Sequence, residues 1–195
     1  MPDISLLWSP APYHILSYGT LLGSSVYQSF INGIVSYRAL SRPQFSTLQS
    51  ALLPIFFTLQ TALPAILALT YPGPLTPSPS LSSLSTTTTT TRSPSSLPGV
   101  LAPSNRWSVL LPLTSIFILN ALNLFYMGPV TTRIMKERKH QETRDGKRYY
   151  DAGPHSKEME RLNGRFGRMH GASALTNLVA LGVTVVYGVV LSERL

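Results

Sequence analysis

The residues best suited to chemistry are seven polar side chains that stand within otherwise apolar stretches. They are Gln28, Asn32, Asn120, Asn123, His170, Ser173 and Asn177. Polar groups are costly in an apolar environment and often mark a function there. A histidine among them could carry a proton or bind a metal ion. The same groups could instead form hydrogen bonds between helices, worth about 1 kcal/mol each. Structural hydrogen bonding, a solute or proton pathway and metal binding therefore stay open as interpretations.

Motifs typical of enzymes are absent from the sequence. It has no G-x-S-x-G, no Walker loop, no H-E-x-x-H and no pair of carboxylates within an apolar stretch. It also has no cysteine and only four histidines, His14, His140, His155 and His170. We therefore predict no catalytic residues and no cofactor, assign no residue to a metal site, and expect the protein not to be an enzyme.

The polar residues have to be positioned by four long runs that contain no Lys, Arg, Asp or Glu. These runs cover about 13–37, 48–70, 107–127 and 171–191. About 20 mostly apolar residues are enough to cross the hydrocarbon core of a bilayer as a helix. Only 12% of the residues are charged, about half of what soluble domains carry. The sequence predicts a single all-α membrane domain over 1–195 with four transmembrane helices, in contact with the lipid bilayer.

The distribution of basic residues predicts an orientation. The segments between the first two runs and between the last two hold 13 of the 16 Lys and Arg residues. Basic loops stay in the cytoplasm, so both termini and the 72–105 segment are expected on the opposite side. Arg38, Arg42 and Arg133 would then face anionic headgroups. This orientation accounts for the net charge of +8, and we expect no nucleic-acid partner.

The two long connectors differ in composition. Residues 72–105 contain seven Pro and sixteen Ser or Thr, a composition that cannot bury enough apolar surface to fold. We predict a disordered loop there. Residues 128–169 are basic and partly helical, and they form the expected surface for protein partners. In that segment Ser156 is a predicted N-cap with Glu158 and Glu160 in the first turn.

An apolar stripe follows that N-cap. Met159, Leu162, Phe166 and Met169 recur at helical spacing. This pattern predicts an amphipathic helix on the membrane surface before the last span, with a solvated loop as the alternative.

Two glycines in the first run, Gly19 and Gly23, make a G-x-x-x-G pair. Such a pair lets two helix backbones approach closely. We expect it to serve helix packing, with a homo-oligomer as an open alternative.

Three segments together resemble the transmembrane protein 205 family of small four-span eukaryotic membrane proteins. They are QSFINGIVSYRALSRPQFSTLQSALLPIFF (28–57), LNLFYMGPVTTRIM (122–135) and RFGRMHGASALTNL (165–178). They occur in the order and spacing of the family, whereas the Pro/Ser/Thr-rich connector is longer here. The resemblance implies a four-span fold but no defined reaction.

The resemblance also implies a location. We expect the endoplasmic reticulum, the secretory pathway or the plasma membrane, with the mitochondrial outer membrane as an alternative. The leading hypothesis is a non-enzymatic component of membranes linked to secretion, stress or drug resistance. The competing hypothesis is a small transporter or channel that uses the Asn and His side chains.

Overall fold

Four long helices make up most of the protein, as the computed structural model shows for residues 8–73, 75–78, 89–92 and 95–193. The first helix runs through the segments Pro10–Val26, Tyr27–Asn32 and Gly33–Ala39, of which the middle one is π-helical. The second helix is Arg42–Leu69. The third runs through the π-helical Arg106–Leu110, Leu111–Leu122, the π-helical Asn123–Met127 and Gly128–Asp145. The fourth is Lys157–Ser192. The predicted all-α fold is confirmed.

The helices form a closed ring in which each packs against its two neighbours in sequence, and the fourth returns to the first. The second helix begins at a capping box, in which the Ser41 backbone amide donates to Gln44 Oε1 at 3.2 Å. It then passes through Pro54 and Pro64 without a break. Neighbouring groups in a bundle can satisfy the carbonyls that such prolines leave free.

The tightest apolar core lies at one end of the ring. There Leu21, Leu67, Ile116, Tyr187 and Leu191 are all buried. A short helix, Ser96–Leu101, adds Val100 to this core. Elsewhere large apolar side chains point outwards, for example Leu16, Ile55, Phe125 and Val186, each at least 58% exposed. Exposed apolar surface on this scale is typical of a protein that contacts lipid.

Three helices of the described chain are long and apolar enough to cross a membrane: Arg42–Leu69, Pro103–Asp145 and Lys157–Ser192. The first helix is not among them, since polar residues such as Gln28 and Asn32 interrupt its apolar run. The predicted number of four spans therefore stays a prediction.

The 72–105 connector is not disordered throughout, which corrects the prediction for part of it. Ser96–Leu101 and Pro103–Asn105 are helical. The Ser96 backbone amide donates to the Tyr71 carbonyl at 2.7 Å, and the side-chain nitrogen Nδ2 of Asn105 donates to the Gly99 carbonyl at 2.7 Å. Leu75–Ser78 pairs antiparallel with Thr89–Arg92. Residues 74, 79–88 and 93–94 lie outside the described part of the chain.

The 128–169 segment is a helical hairpin rather than a loop. The third helix continues past Gly128 and Pro129 to Asp145, and the fourth begins at Lys157 and has no break before its apolar part. We call Gly128–Asp145, the turn 146–156 and residues 157–170 the charged hairpin. The prediction of a separate amphipathic helix on the membrane surface is therefore wrong. Met159 and Leu162, both at most 2% exposed, instead pack within the hairpin.

One close contact between the first and fourth helices depends on a glycine. A Cβ at Gly188 would overlap the Tyr18 ring, whereas a Cβ at Gly182 on the same helix would meet open space. We predict that Gly188→Ala destabilises the fold by about 1–3 kcal/mol, the usual cost of overpacking. The control Gly182→Ala should be neutral or stabilising, because alanine favours helix. Thermal unfolding in detergent micelles, followed by circular dichroism, would test this. Equal melting temperatures for the two variants would contradict the packing described here.

Candidate functional site

The structure divides the predicted polar cluster into separate pairs. Asn123 at the π-helical part of the third helix meets Ser173 of the fourth. The Ser173 hydroxyl donates to Asn123 Oδ1 at 2.6 Å, and Asn123 Nδ2 donates to the Ser173 carbonyl at 3.4 Å. Asn123 is fully buried. A π-helical turn displaces side chains relative to a regular helix, which places this amide between the two helices.

Two other predicted residues, Gln28 and Asn177, connect the first helix to its neighbours, and Asn32 bonds to Gln28. Asn32 Nδ2 donates to Gln28 Oε1 at 2.9 Å within the first helix. Gln28 Nε2 donates in turn to Gln49 Oε1 of the second helix at 3.3 Å. Asn177 Nδ2 of the fourth helix donates to the Ser29 hydroxyl at 2.9 Å. These bonds link three helices and are of the kind expected for structural hydrogen bonding.

The last two predicted residues are not part of these pairs. Asn120 Nδ2 donates to the Ile116 carbonyl of its own helix at 2.9 Å, and Asn120 Oδ1 is buried without a partner. His170 is exposed and stacks on Phe166, with ring centroids 5.6 Å apart and planes at 6°. The seven residues therefore do not converge on one point.

Two buried polar groups were missed by the sequence analysis. His14 is fully buried, with Nδ1 3.2 Å from the Thr70 hydroxyl and Nε2 2.8 Å from the Tyr187 hydroxyl. Gln60 Nε2 donates to the Leu21 carbonyl at 3.1 Å and to the Ser24 hydroxyl at 2.8 Å. Gln60 stands within an apolar run as Asn120 does, so the same criterion could have found it.

The residues that do come together line a groove of about 470 Å³ between the second, third and fourth helices. Its lining includes Gln49, Phe57, Asn123, Arg133, Lys136, His170 and Ser173. Gly128 lies at the point where the groove meets the π-helical turn, and a Cβ there would come within 2.9 Å of the Asn123 carbonyl oxygen. We call this cavity the basic groove. No group of three or more His, Cys, Asp or Glu suited to a metal ion occurs in the described residues.

The arginines expected at headgroups have different surroundings. Arg133 lines the basic groove, and Arg38 is exposed. Arg42 lies over the Tyr37 ring, with its guanidinium carbon 3.6 Å from the ring centroid. Such stacking holds a guanidinium near the chain and orients its remaining donors. Contact of these three residues with headgroups stays a prediction.

The glycine pair of the first helix does not pack against another helix of the described chain. A Cβ at Gly19 or Gly23 would meet nothing within 4 Å. Within one copy, the close approach to the first helix occurs through Gly188 instead. A role for Gly19 and Gly23 between two copies stays open.

Arg138 is central to the charged hairpin. Its guanidinium lies 3.8 Å from the centroid of the Tyr149 ring and 4.5 Å from that of Phe166, so it connects the turn to both helices. It is 7% exposed. Burial lowers the pKa of Arg138 from its usual value, while Tyr149 and Glu142 act in the opposite direction. Cation–π contacts gain strength when they are removed from water.

The two helices of the charged hairpin are fixed at their ends as well. The predicted N-cap is confirmed, because the Ser156 hydroxyl accepts from the Met159 amide at 3.2 Å. The same hydroxyl donates to Asp145 at 2.6 Å. Gly146 ends the third helix with φ at +61°, a left-handed conformation that favours glycine. Glu137 and Arg165 form an ion pair at 3.5 Å across the two helices. The hairpin is therefore an ordered element that projects charge away from the apolar bundle.

The Asn123–Ser173 pair gives a direct test of structural hydrogen bonding. In a double-mutant cycle of Asn123→Ala and Ser173→Ala we expect a coupling of about 0.6 kcal/mol, the average found for such bonds between membrane helices, and at most about 1.7 kcal/mol. The cycle would be measured by denaturant unfolding in micelles. A control cycle of Asn123→Ala with Ser192→Ala should show no coupling, since the Ser192 hydroxyl donates to Val189 near the far end of the fourth helix. Equal coupling in both cycles would argue against a specific pair.

Comparison with known proteins places the chain in a family. Residues 16–140 match the family described as a domain of unknown function, DUF4149. The chain is also similar to a protein of Aspergillus fumigatus named xanthocillin biosynthesis cluster protein D, at 30% identity over 184 residues. That alignment covers 94% of this chain and 90% of the relative. No solved structure matches. With its apolar helices and a family match over most of its length, the chain belongs to the DUF4149 domain family.

Proposed function

We propose that the protein is a non-enzymatic, four-span membrane component that acts through partners bound at the charged hairpin. The observation that carries this proposal is the hairpin itself. Eleven Lys and Arg residues lie between 133 and 168, on two helices and the turn between them, and the helices are held together by Arg138 and Ser156. A rigid charged element continuous with two membrane helices is suited to present a fixed surface at the membrane.

The first helix is suited to cross the membrane despite its polar residues, which would bring the number of spans to four. Gln28 and Ser29 are half-buried and bond to the second and fourth helices, so these polar groups have partners within the protein. Phe30, Ile31 and Ile34 of the same helix are exposed and apolar. A helix with this division can cross a bilayer, because lipid meets only its apolar side.

The location that we propose is a membrane of the secretory pathway or one linked to stress or drug resistance, as the resemblance to the transmembrane protein 205 family implies. The relative named for a biosynthesis cluster supports an accessory membrane role, because its name states no reaction. The orientation that we propose places the charged hairpin in the cytoplasm, since basic loops are retained there.

A transporter or channel is the second candidate, and the basic groove is the observation that favours it. His170, Asn123 and Ser173 line that groove. Among the described residues, however, the polar side chains form separate hydrogen-bonded pairs, and Asn120 bonds to its own helix. The two candidates separate in cells that lack the native copy. The His170→Leu variant should restore the wild-type phenotype if the protein acts by binding partners, and should not restore it if the protein is a transporter. The Met159→Asp variant, changed in the hairpin core, should not restore the phenotype if the protein acts by binding partners.

The absence of cysteine makes the span count and orientation directly measurable. Single cysteines would be placed at Trp8, Ala39, Ser104 and Thr143, and labelled with an impermeant maleimide in cells permeabilised only at the plasma membrane. For a secretory-pathway protein we predict labelling of Ala39→Cys and Thr143→Cys from the cytosol. Trp8→Cys and Ser104→Cys should react only after full permeabilisation.

The cysteine-free wild type is the control for background labelling. Trp8 is 90% exposed, so failure to react would not result from burial in the fold. Equal reactivity of Trp8→Cys and Ala39→Cys from one side would show that the first helix does not cross, and reactivity of Ser104→Cys from the cytosol would show the reverse orientation.

A further inference from the structure

The basic groove has the features of a site for an amphipathic anion. One wall is apolar, with Leu53, Pro54 and Phe57 of the second helix facing Leu124 of the third. Its volume of about 470 Å³ lies within the range of ligand pockets, about 300–1,000 Å³. The cavity lies where the apolar part of the bundle meets the charged hairpin.

The charge of the groove is of one sign. Arg133 and Lys136 line it, and none of its described lining residues is acidic. Neither of these two cations has an ion-pair partner among the described residues, where the ion pairs are Arg161 with Glu158 and Arg165 with Glu137. A phosphate placed between Arg133 and Lys136 would therefore meet two available positive charges without displacing a carboxylate.

A polar group between the apolar wall and the cations also lacks a partner. Gln49 lines the groove, and its Oε1 accepts from Gln28, but its Nε2 is buried without a hydrogen-bond partner. Buried amide donors are rarely left unpaired, and a missing ligand is one explanation. Because that nitrogen has almost no surface open to the groove, a ligand would reach it only after the Gln49 side chain turns.

We propose that the basic groove binds one anionic phospholipid of the cytoplasmic leaflet. Its phosphate lies against Arg133 and Lys136, and one acyl chain lies along Leu53, Pro54 and Phe57. Anionic lipids are concentrated in that leaflet. The choice of the cytoplasmic leaflet rests on the orientation proposed above, whereas the binding itself does not.

Native mass spectrometry of the full chain would test the proposal. The protein would be purified in nonionic micelles doped with either phosphatidylserine or phosphatidylcholine. We expect one retained phosphatidylserine per chain, and about thirtyfold less in Arg133→Gln/Lys136→Gln, given about 1 kcal/mol for each of the two cations near an anionic lipid. The matched control Lys139→Gln/Lys157→Gln removes the same charge from exposed positions outside the groove. It should bind as the wild type does.

A second variant tests the apolar wall independently. Leu53→Trp leaves both cations in place and fills the groove, so it should also lose the retained lipid. Circular dichroism would show that each variant keeps its helices. Soluble glycerophosphoserine should not displace the lipid, because it lacks the acyl chains.

Three results would overturn the proposal. They are equal retention of the two lipids, equal losses in the groove and control variants, and displacement by glycerophosphoserine, which would indicate a free-anion site. The micelle assay does not depend on orientation. If no lipid is retained while the cysteine labelling is as expected, only the lipid site in the groove is refuted. If lipid is retained while the labelling is reversed, only the assignment to the cytoplasmic leaflet is refuted.

Discussion

Backbone hydrogen bonding in hydrocarbon is the constraint on which the rest of the structure depends. A chain that crosses a bilayer must satisfy each amide and carbonyl internally, and a helix does this within one segment. The fourth helix has 36 residues, about 54 Å at 1.5 Å per residue, whereas the hydrocarbon core is about 30 Å thick. Because the helix does not break, its first turns extend beyond the apolar bundle. The third helix does the same at its other end, so the two emerge side by side. Their contacts through Met159, Leu162 and Arg138 follow from that continuity.

The same constraint explains where the polar side chains lie. Water cannot solvate an amide in the bundle, so Gln28, Asn123 and Asn177 bond to neighbouring helices. The hydrogen-bonded pairs are distributed along the bundle because each polar side chain needs a partner at its own level along the helix axes. The basic groove lies between the second, third and fourth helices, where the apolar bundle meets the charged hairpin. A π-helical turn and Gly128 shape that point, and the donor left over on Gln49 lies there as well. Helix packing and the proposed lipid binding thus involve the same part of the bundle.

Local patterns in the sequence predicted the helices, because apolar runs and caps are local properties. Ser156 with Glu158 and Glu160 indicated the start of the fourth helix correctly. Partners distant in sequence were not predictable in this way. Asn123 and Ser173 are 50 residues apart, and His14 and Tyr187 are 173 apart, so no spacing rule connects them. The hairpin was misread because a stripe at helical spacing shows that a face is covered without showing what covers it. The helix Ser96–Leu101 was missed since the composition around it is that of a loop, while Val100 is buried by tertiary contact.

The most direct test of the account is the rigidity of the charged hairpin in a membrane. The cysteine-free chain allows spin labels at Thr143→Cys and Glu160→Cys, two exposed positions on facing helices. Double electron–electron resonance in lipid nanodiscs would then report the distribution of distances between the labels. Two helices continuous with their spans and fixed by Arg138 predict one narrow distribution that broadens in Arg138→Ala. A broad distribution in the wild-type chain, unchanged by that substitution, would show that the segment is a loose loop and would contradict the central claim.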